Sequence, residues 1–210
     1  MTDTVAGYFR FLWAGVVKRS QTGSLLPSQR FLITKMISPV PRGYRGEIIE
    51  LGAGNGALTL RLAARCPNAK IIACEINPTL ARDNRRKLDK AGVSNTVEVF
   101  EGPAEELLVL TSARNGGKPK FIISGIPLAN LDADKTHALL DLISTALGED
   151  GMYIQFQHSL VDRKKIKVRF DRLFVVPVVL NLPPAFVYYA RRPSSARRAG
   201  SAARNHAVRA

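Results

Sequence analysis

Glu47-Ile48-Ile49-Glu50-Leu51-Gly52-Ala53-Gly54-Asn55-Gly56 decides the fold, because an apolar run short enough for a buried strand passes directly into a turn with glycine at every second position. Glycine removes the Cβ that holds a backbone away from a ligand, and it tolerates the positive φ needed where a strand reverses into a helix. The spacing is G-x-G-x-G, so the third glycine comes one residue earlier than in the G-x-G-x-x-G turn of dinucleotide-binding sheets. Glu50 stands just before the first glycine. A carboxylate there can accept a hydrogen bond from a cationic amine, which S-adenosylmethionine carries and a pyrophosphate lacks.

From Gly46 onward, strand-like and helix-like stretches alternate, the pattern of an open α/β sheet covered by helices on both faces. The apolar runs predict strands at 47–51, 70–75, 96–100, 120–125 and 151–157, with helices near 56–65, 78–91, 104–110 and 133–147. Asn77-Pro78 suits the cap and first turn of the second helix. Phe174 to Leu180 and Ala185 to Tyr189 flank Asn181-Leu182-Pro183-Pro184 and read as a C-terminal antiparallel hairpin, with the prolines confined to its turn. The expectation is a seven-stranded Rossmann-like sheet of the class I methyltransferase type, with its core over 46–190.

At 210 residues and 46% apolar content the chain can close one sizeable core but has no length for a second full domain, which argues against a two-domain dehydrogenase. Cys66 and Cys74 lack the spacing of a zinc site or a disulfide framework, so both are expected to be buried thiols and no metal is expected. The sequence has no signal-peptide pattern and no 18-residue apolar run; a cytoplasmic protein, peripheral to the inner face of a membrane at most, is expected. A formal charge of +14 points to a polyanion partner, either an anionic lipid surface or nucleic acid.

Residues 1–45 form a separate N-terminal unit, a lid segment that starts with an amphipathic helix. Val5, Tyr8, Phe9, Leu12, Trp13, Val16 and Val17 recur at helical spacing, with Arg10 and Lys18 elsewhere on the wheel, which suits either packing on the core or contact with a lipid interface. After Ala190, six arginines and no acid occur through Ala210, so 191–210 reads as a disordered basic tail.

The second strand ends at Glu75-Ile76, where a carboxylate at the sheet's carboxyl edge can bind both hydroxyls of a ribose. The third ends Glu101-Gly102-Pro103-Ala104, with proline where many methyltransferases place an acid for the adenine amine; backbone groups or Glu105 must serve instead. The expected donor site therefore comprises Glu50, Gly52, Ala53, Gly54, Asn55, Gly56, Glu75, Ile76, Gly102, Pro103, Ala104, Ser124 and Gly125. The fourth strand ends Ser124-Gly125-Ile126-Pro127-Leu128. Enzymes that modify bases place an amide or acid and a stacking aromatic here; Ser and Leu supply neither, so an aliphatic amine fits better than a planar base. Ser124, with the Gly125 and Ile126 carbonyls, is the candidate holder of that amine, and His158 and Tyr8 are the candidate proton acceptors.

These segments resemble the small bacterial phospholipid N-methyltransferases of the soluble, Rhodobacter-like type. The likeness runs from Phe11 to Arg192 through Thr22-Gly23-Ser24-Leu25-Leu26-Pro27-Ser28, the loop from Glu50 to Gly56, Ser124 to Leu128, Ile154-Gln155-Phe156 and Leu180-Asn181-Leu182-Pro183-Pro184-Ala185. It implies S-adenosylmethionine as donor, stepwise methylation of phosphatidylethanolamine toward phosphatidylcholine, and membrane association through the N-terminal helix; a monomer is expected. Gln29-Arg30-Phe31-Leu32 is similar to the Gln-x-Phe-Leu element of ribosomal RNA adenine dimethylases, which makes RNA the alternative substrate.

Overall fold

The structure, a computed structural model, describes residues 27–114, 116–181 and 183–192. In chain order the elements are α1 (Pro27–Ile37), β1 (Glu47–Leu51), α2 (Ala57–Arg65), β2 (Lys70–Glu75), α3 (Pro78–Lys90), β3 (Val97–Glu101) and α4 (Ala104–Ala113). Then follow β4 (Phe121–Ser124), a 3₁₀ turn at Leu128–Asn130, α5 (Ala133–Ala146), β5 (Met152–Gln157), the short α6 (Arg163–Lys167), β6 (Arg172–Val178) and β7 (Ala185–Arg191).

All seven strands form one sheet in the order β3-β2-β1-β4-β5-β7-β6. The first five are mutually parallel, and β7 alone runs the other way, antiparallel to both β5 and β6. The expected seven-stranded Rossmann-like, class I methyltransferase architecture is the one observed, hairpin included. Parallel strands buried on both faces need apolar residues at nearly every position. Ile48, Ile49 and Leu51 of β1 and Ile71 and Ile72 of β2 accordingly alternate between two cores. One core packs α4, α5 and α6 on one face; the other packs α1, α2 and Leu88 of α3 on the opposite face. Cys66 and Cys74 are both buried and unlinked.

The expected boundaries shift by a residue or two at most ends, and by three for α4, which runs on to Ala113. Two helices lie where the sequence reading placed none. In α1, Leu32, Ile33, Met36 and Ile37 are buried, and Tyr189 Oη donates to the Lys35 carbonyl oxygen at 2.8 Å, so this part of the N-terminal segment is integral to the core. The prolines of the hairpin are not all in its turn: Pro177 lies within β6. It is tolerated because β6 is an edge strand and Pro177 is exposed. The amphipathic helix proposed over 5–17, Tyr8 with it, and the tail beyond Arg192 lie outside the described residues.

Candidate active site

The chain leaves β1 toward β2 on one side and reaches β4 on the other, so the crevice at the carboxyl ends of β1 and β4 is the topological switch point where open α/β sheets bind ligands. Four loops meet there. Gly52 and Ala53 both donate backbone N–H bonds to the Cys74 carbonyl oxygen at 2.9 Å, Gly102 donates to the Glu75 carbonyl at 3.1 Å, and Gly125 donates to the Leu51 carbonyl at 2.8 Å. Backbone hydrogen bonds thus tie the ends of β1, β2, β3 and β4 into one rim.

The three glycines after β1 have positive φ of 73°, 56° and 83°, but their surroundings differ. A Cβ on Gly52 would come within 3.2 Å of Ile126 Cγ1, and one on Gly56 within 2.2 Å of Asn84 Oδ1 on α3. Around Gly54 the same position is open, with nothing within 4 Å. The first and third glycines therefore serve close packing, and Gly54 is the one that leaves room for a ligand. Asn55 lies at the tip of the loop, where its carbonyl accepts from Lys87 Nζ at 2.9 Å.

Glu75 is buried, and its carboxylate accepts from Gly54 N at 2.7 Å through Oε2 and from Asn77 N at 2.8 Å through Oε1. Asn77 in turn caps α3, accepting from Thr79 N and Leu80 N. Each carboxylate oxygen keeps a second lone pair for a ligand hydroxyl. Glu50 is 3% exposed, and its Oε2 has no hydrogen-bond partner among the described residues. Burial pushes its carboxyl up to about 8; the Thr59 hydroxyl opposes that rise and the nearby Glu75 charge adds to it. Burial also raises Glu75, against the pull of its backbone donors. Two neighbouring acids with raised pKa values, one with an orphaned oxygen, form a site short of a cation and of hydroxyl donors.

S-Adenosylmethionine fits this set. Its cationic end would answer the orphaned Glu50 oxygen, its ribose hydroxyls would answer Glu75, and the open face of Gly54 would admit the close approach to backbone that it needs. Ile76 is exposed beside Glu75, and Gly102 and Pro103 are half-buried ahead of the buried Ala104, at the edge where an adenine would lie.

On the acceptor side Ser124 is 0% exposed, and its Oγ accepts from Ile126 N at 3.2 Å, so it shapes the turn from inside. The Ile126 carbonyl accepts from Gln155 Nε2 at 2.8 Å, while Gln155 Oε1 accepts from Tyr153 Oη at 2.6 Å. Burial raises the Tyr153 phenol far above its ordinary value, so it stays protonated and donates. Thr59, Asn84, Tyr153 and Gln155 were not singled out from the sequence as site residues. Only the Ile154-Gln155-Phe156 segment hinted at one of them. His158 is exposed just past β5, its Nδ1 2.9 Å from the Pro184 carbonyl oxygen. A carbonyl can only accept, so Nδ1 is the donor in that contact.

A family profile described as a methyltransferase domain matches residues 48–151. Fold, crevice and match together define the class: an S-adenosylmethionine-dependent methyltransferase. Among curated proteins the chain is 27% identical over 186 residues to an ornithine lipid N-methyltransferase of Singulisphaera acidiphila, spanning 88% of this chain and 95% of that one. Among solved structures it is similar to precorrin-6y C5,15-methyltransferase of Geobacter metallireducens (TM-score 0.63, 16% identity, covering 80% of this chain and 92% of that one). It is also similar to the N-methyltransferase NodS of Bradyrhizobium japonicum, solved with S-adenosyl-L-homocysteine (TM-score 0.60, 13% identity, 80% and 89% covered).

Proposed function

We propose that this methyltransferase acts on the amine of a membrane amino lipid, with phosphatidylethanolamine as acceptor and methylation directed toward phosphatidylcholine. The observation that carries the reading is the near full-length likeness to a protein named for N-methylation of a lipid, the ornithine lipid N-methyltransferase. The turn after β4 supports it: Ser124 and Leu128 are wholly buried, so the turn offers neither a base-reading amide nor a stacking ring.

When bound, the donor supplies an electrophilic methyl group; the protein's own task is to align an amine lone pair behind it and exclude water. An alkyl amine with a pKa of about 10 is neutral in only about one molecule per thousand at pH 7, a cost of roughly 4 kcal/mol. A desolvated crevice lowers that pKa, and in this reading the proton passes to water or to His158. The Gly125 carbonyl and the second lone pair of the Ile126 carbonyl orient the N–H groups, with Gln155 fixing Ile126. With the donor bound, the neutral amine would take its methyl group, the nitrogen–carbon bond forming as the donor's sulfur–carbon bond broke, and the methylated product would leave as an ammonium, so that each transfer sheds only the one proton lost before attack.

The test supplies labelled S-adenosylmethionine to vesicles of phosphatidylethanolamine, vesicles of ornithine lipid, and ribosomes. Label in phosphatidylethanolamine is the expected result. Label in ornithine lipid alone would change the headgroup, and label in ribosomal RNA alone would overturn the lipid reading.

A further inference from the structure

The two loops that flank the hairpin at the catalytic edge are built inside out. After β5, Asp162 is 1% exposed and accepts from Lys165 Nζ at 2.9 Å, and Tyr188 Oη donates to the Ser159 carbonyl at 2.8 Å. Between these anchors, Leu160 is 47% and Val161 74% exposed. In the turn from β6 to β7, Asn181 is buried and donates from Nδ2 to the Pro183 carbonyl at 2.7 Å, while Val179 is 72% and Leu180 63% exposed. His158, 2.9 Å from the Pro184 carbonyl, ties one loop to the other.

Single exposed aliphatics are ordinary on a protein surface. Two adjacent pairs on neighbouring loops, held outward while the polar side chains of the same loops point in, are a patch that wants a partner. The charge around it selects the partner. From residue 159 to 167 there are four basic side chains, Arg163, Lys164, Lys165 and Lys167, against one acid, Asp162. Asp162 is already engaged by Lys165. Aliphatic tips bordered by cations match an interface whose surface is anionic and whose interior is hydrocarbon.

The patch also has the right place. Gln157 of β5 pairs with Phe186, and Val178 of β6 with Ala185, so both loops leave the sheet at the carboxyl edge, beside the turn after β4. We propose that Leu160, Val161, Val179 and Leu180, bordered by Arg163 and Lys164, form a surface that docks the protein on an anionic lipid bilayer with its catalytic crevice facing the headgroups. The inference rests on the lipid-acceptor reading for its purpose, but it concerns residues outside the donor site and is separate from the helix expected over 5–17.

The experiment uses the full chain and sedimentation with vesicles of phosphatidylethanolamine and phosphatidylglycerol, beside neutral phosphatidylcholine vesicles and RNA. Replacing Leu160, Val161, Val179 and Leu180 by serine is expected to weaken partition onto the anionic vesicles about tenfold or more. Turnover on a short-chain, water-soluble amino lipid and the melting temperature should stay unchanged. Should the serine variant melt early, Arg163→Gln with Lys164→Gln, which touches only exposed charges, carries the decision through the same partition assay. Unchanged vesicle binding overturns the surface, as does a loss confined to RNA. If the wild-type protein methylates no lipid, the functional reading falls while partition still decides the surface.

Discussion

Glu50 and Glu75 are neighbouring buried acids that the fold prepares differently. Glu75 is prepared by two backbone donors, so Glu75→Ala removes an acceptor and leaves the Gly54 and Asn77 amides without their partner. Calorimetry should find S-adenosylmethionine affinity reduced at least about tenfold, an effect of the order expected for losing a hydrogen-bonded carboxylate. Glu50 makes a sharper prediction. With its carboxyl raised from 4.5 to about 8, the ligand-free fold binds this proton more tightly than the unfolded chain does. Its contribution to stability is therefore complete below about pH 4.5 and is lost as pH climbs through 8. Glu50→Gln should raise the melting temperature of the ligand-free protein at pH 8 relative to wild type, change it little at pH 5, and weaken the donor's binding at both. A cation arriving beside Glu50 ionises it, so wild-type binding at pH 7 should release a proton, detected as a binding enthalpy that varies with the ionisation heat of the buffer; Glu50→Gln should abolish that dependence. Both acids were legible in the sequence from their place at strand ends. Thr59, Asn84 and Gln155 were not, because a buried polar side chain on a helix or mid-strand acquires its meaning only from the neighbour that folding brings to it.

The loop between β1 and α2 was read from the sequence as three equivalent glycines, and the structure separates them. Gly56→Ala drives a Cβ into Asn84 at positive φ, whereas Gly54→Ala meets open space at the same backbone hand. Gly56→Ala should lower stability by roughly 2 kcal/mol or more in urea melts, partly restored by Asn84→Ala; Gly54→Ala should cost about 1 kcal/mol but impair donor binding more. Elements buried on both sides announced themselves as apolar runs, which is why β1 and β2 were placed to the residue. The Asn77-Pro78 pair likewise marked the start of α3. Helix α1 was missed although Leu32, Ile33, Met36 and Ile37 carry the spacing, because its stripe is short and its first turn has no acidic residue. Helix α6, five residues rich in lysine, has too little apolar pattern to read.

At the scale of the molecule, one sheet separates two cores, and the donor crevice lies where both meet the carboxyl edge. A ligand that binds only this folded arrangement stabilises it by mass action, about 2.7 kcal/mol at a hundredfold excess over its Kd. S-Adenosylmethionine should therefore raise the melting temperature of the wild-type chain, and a Glu75→Ala chain should show little of that shift. The class of fold was readable because alternation of strands and helices is a property of the whole sequence; the acceptor side was less so, because its polar contacts link β4 to β5 across some thirty positions of chain.

The reversal of β7 decides which way the polypeptide departs. Ala185 starts that strand at the catalytic rim, one residue before Phe186 pairs with Gln157, and Arg191 finishes it opposite Met152, six residues lower, or about 20 Å at strand rise. A label placed at Arg192 itself would consequently sit at the edge of the sheet opposite the mouth of the crevice.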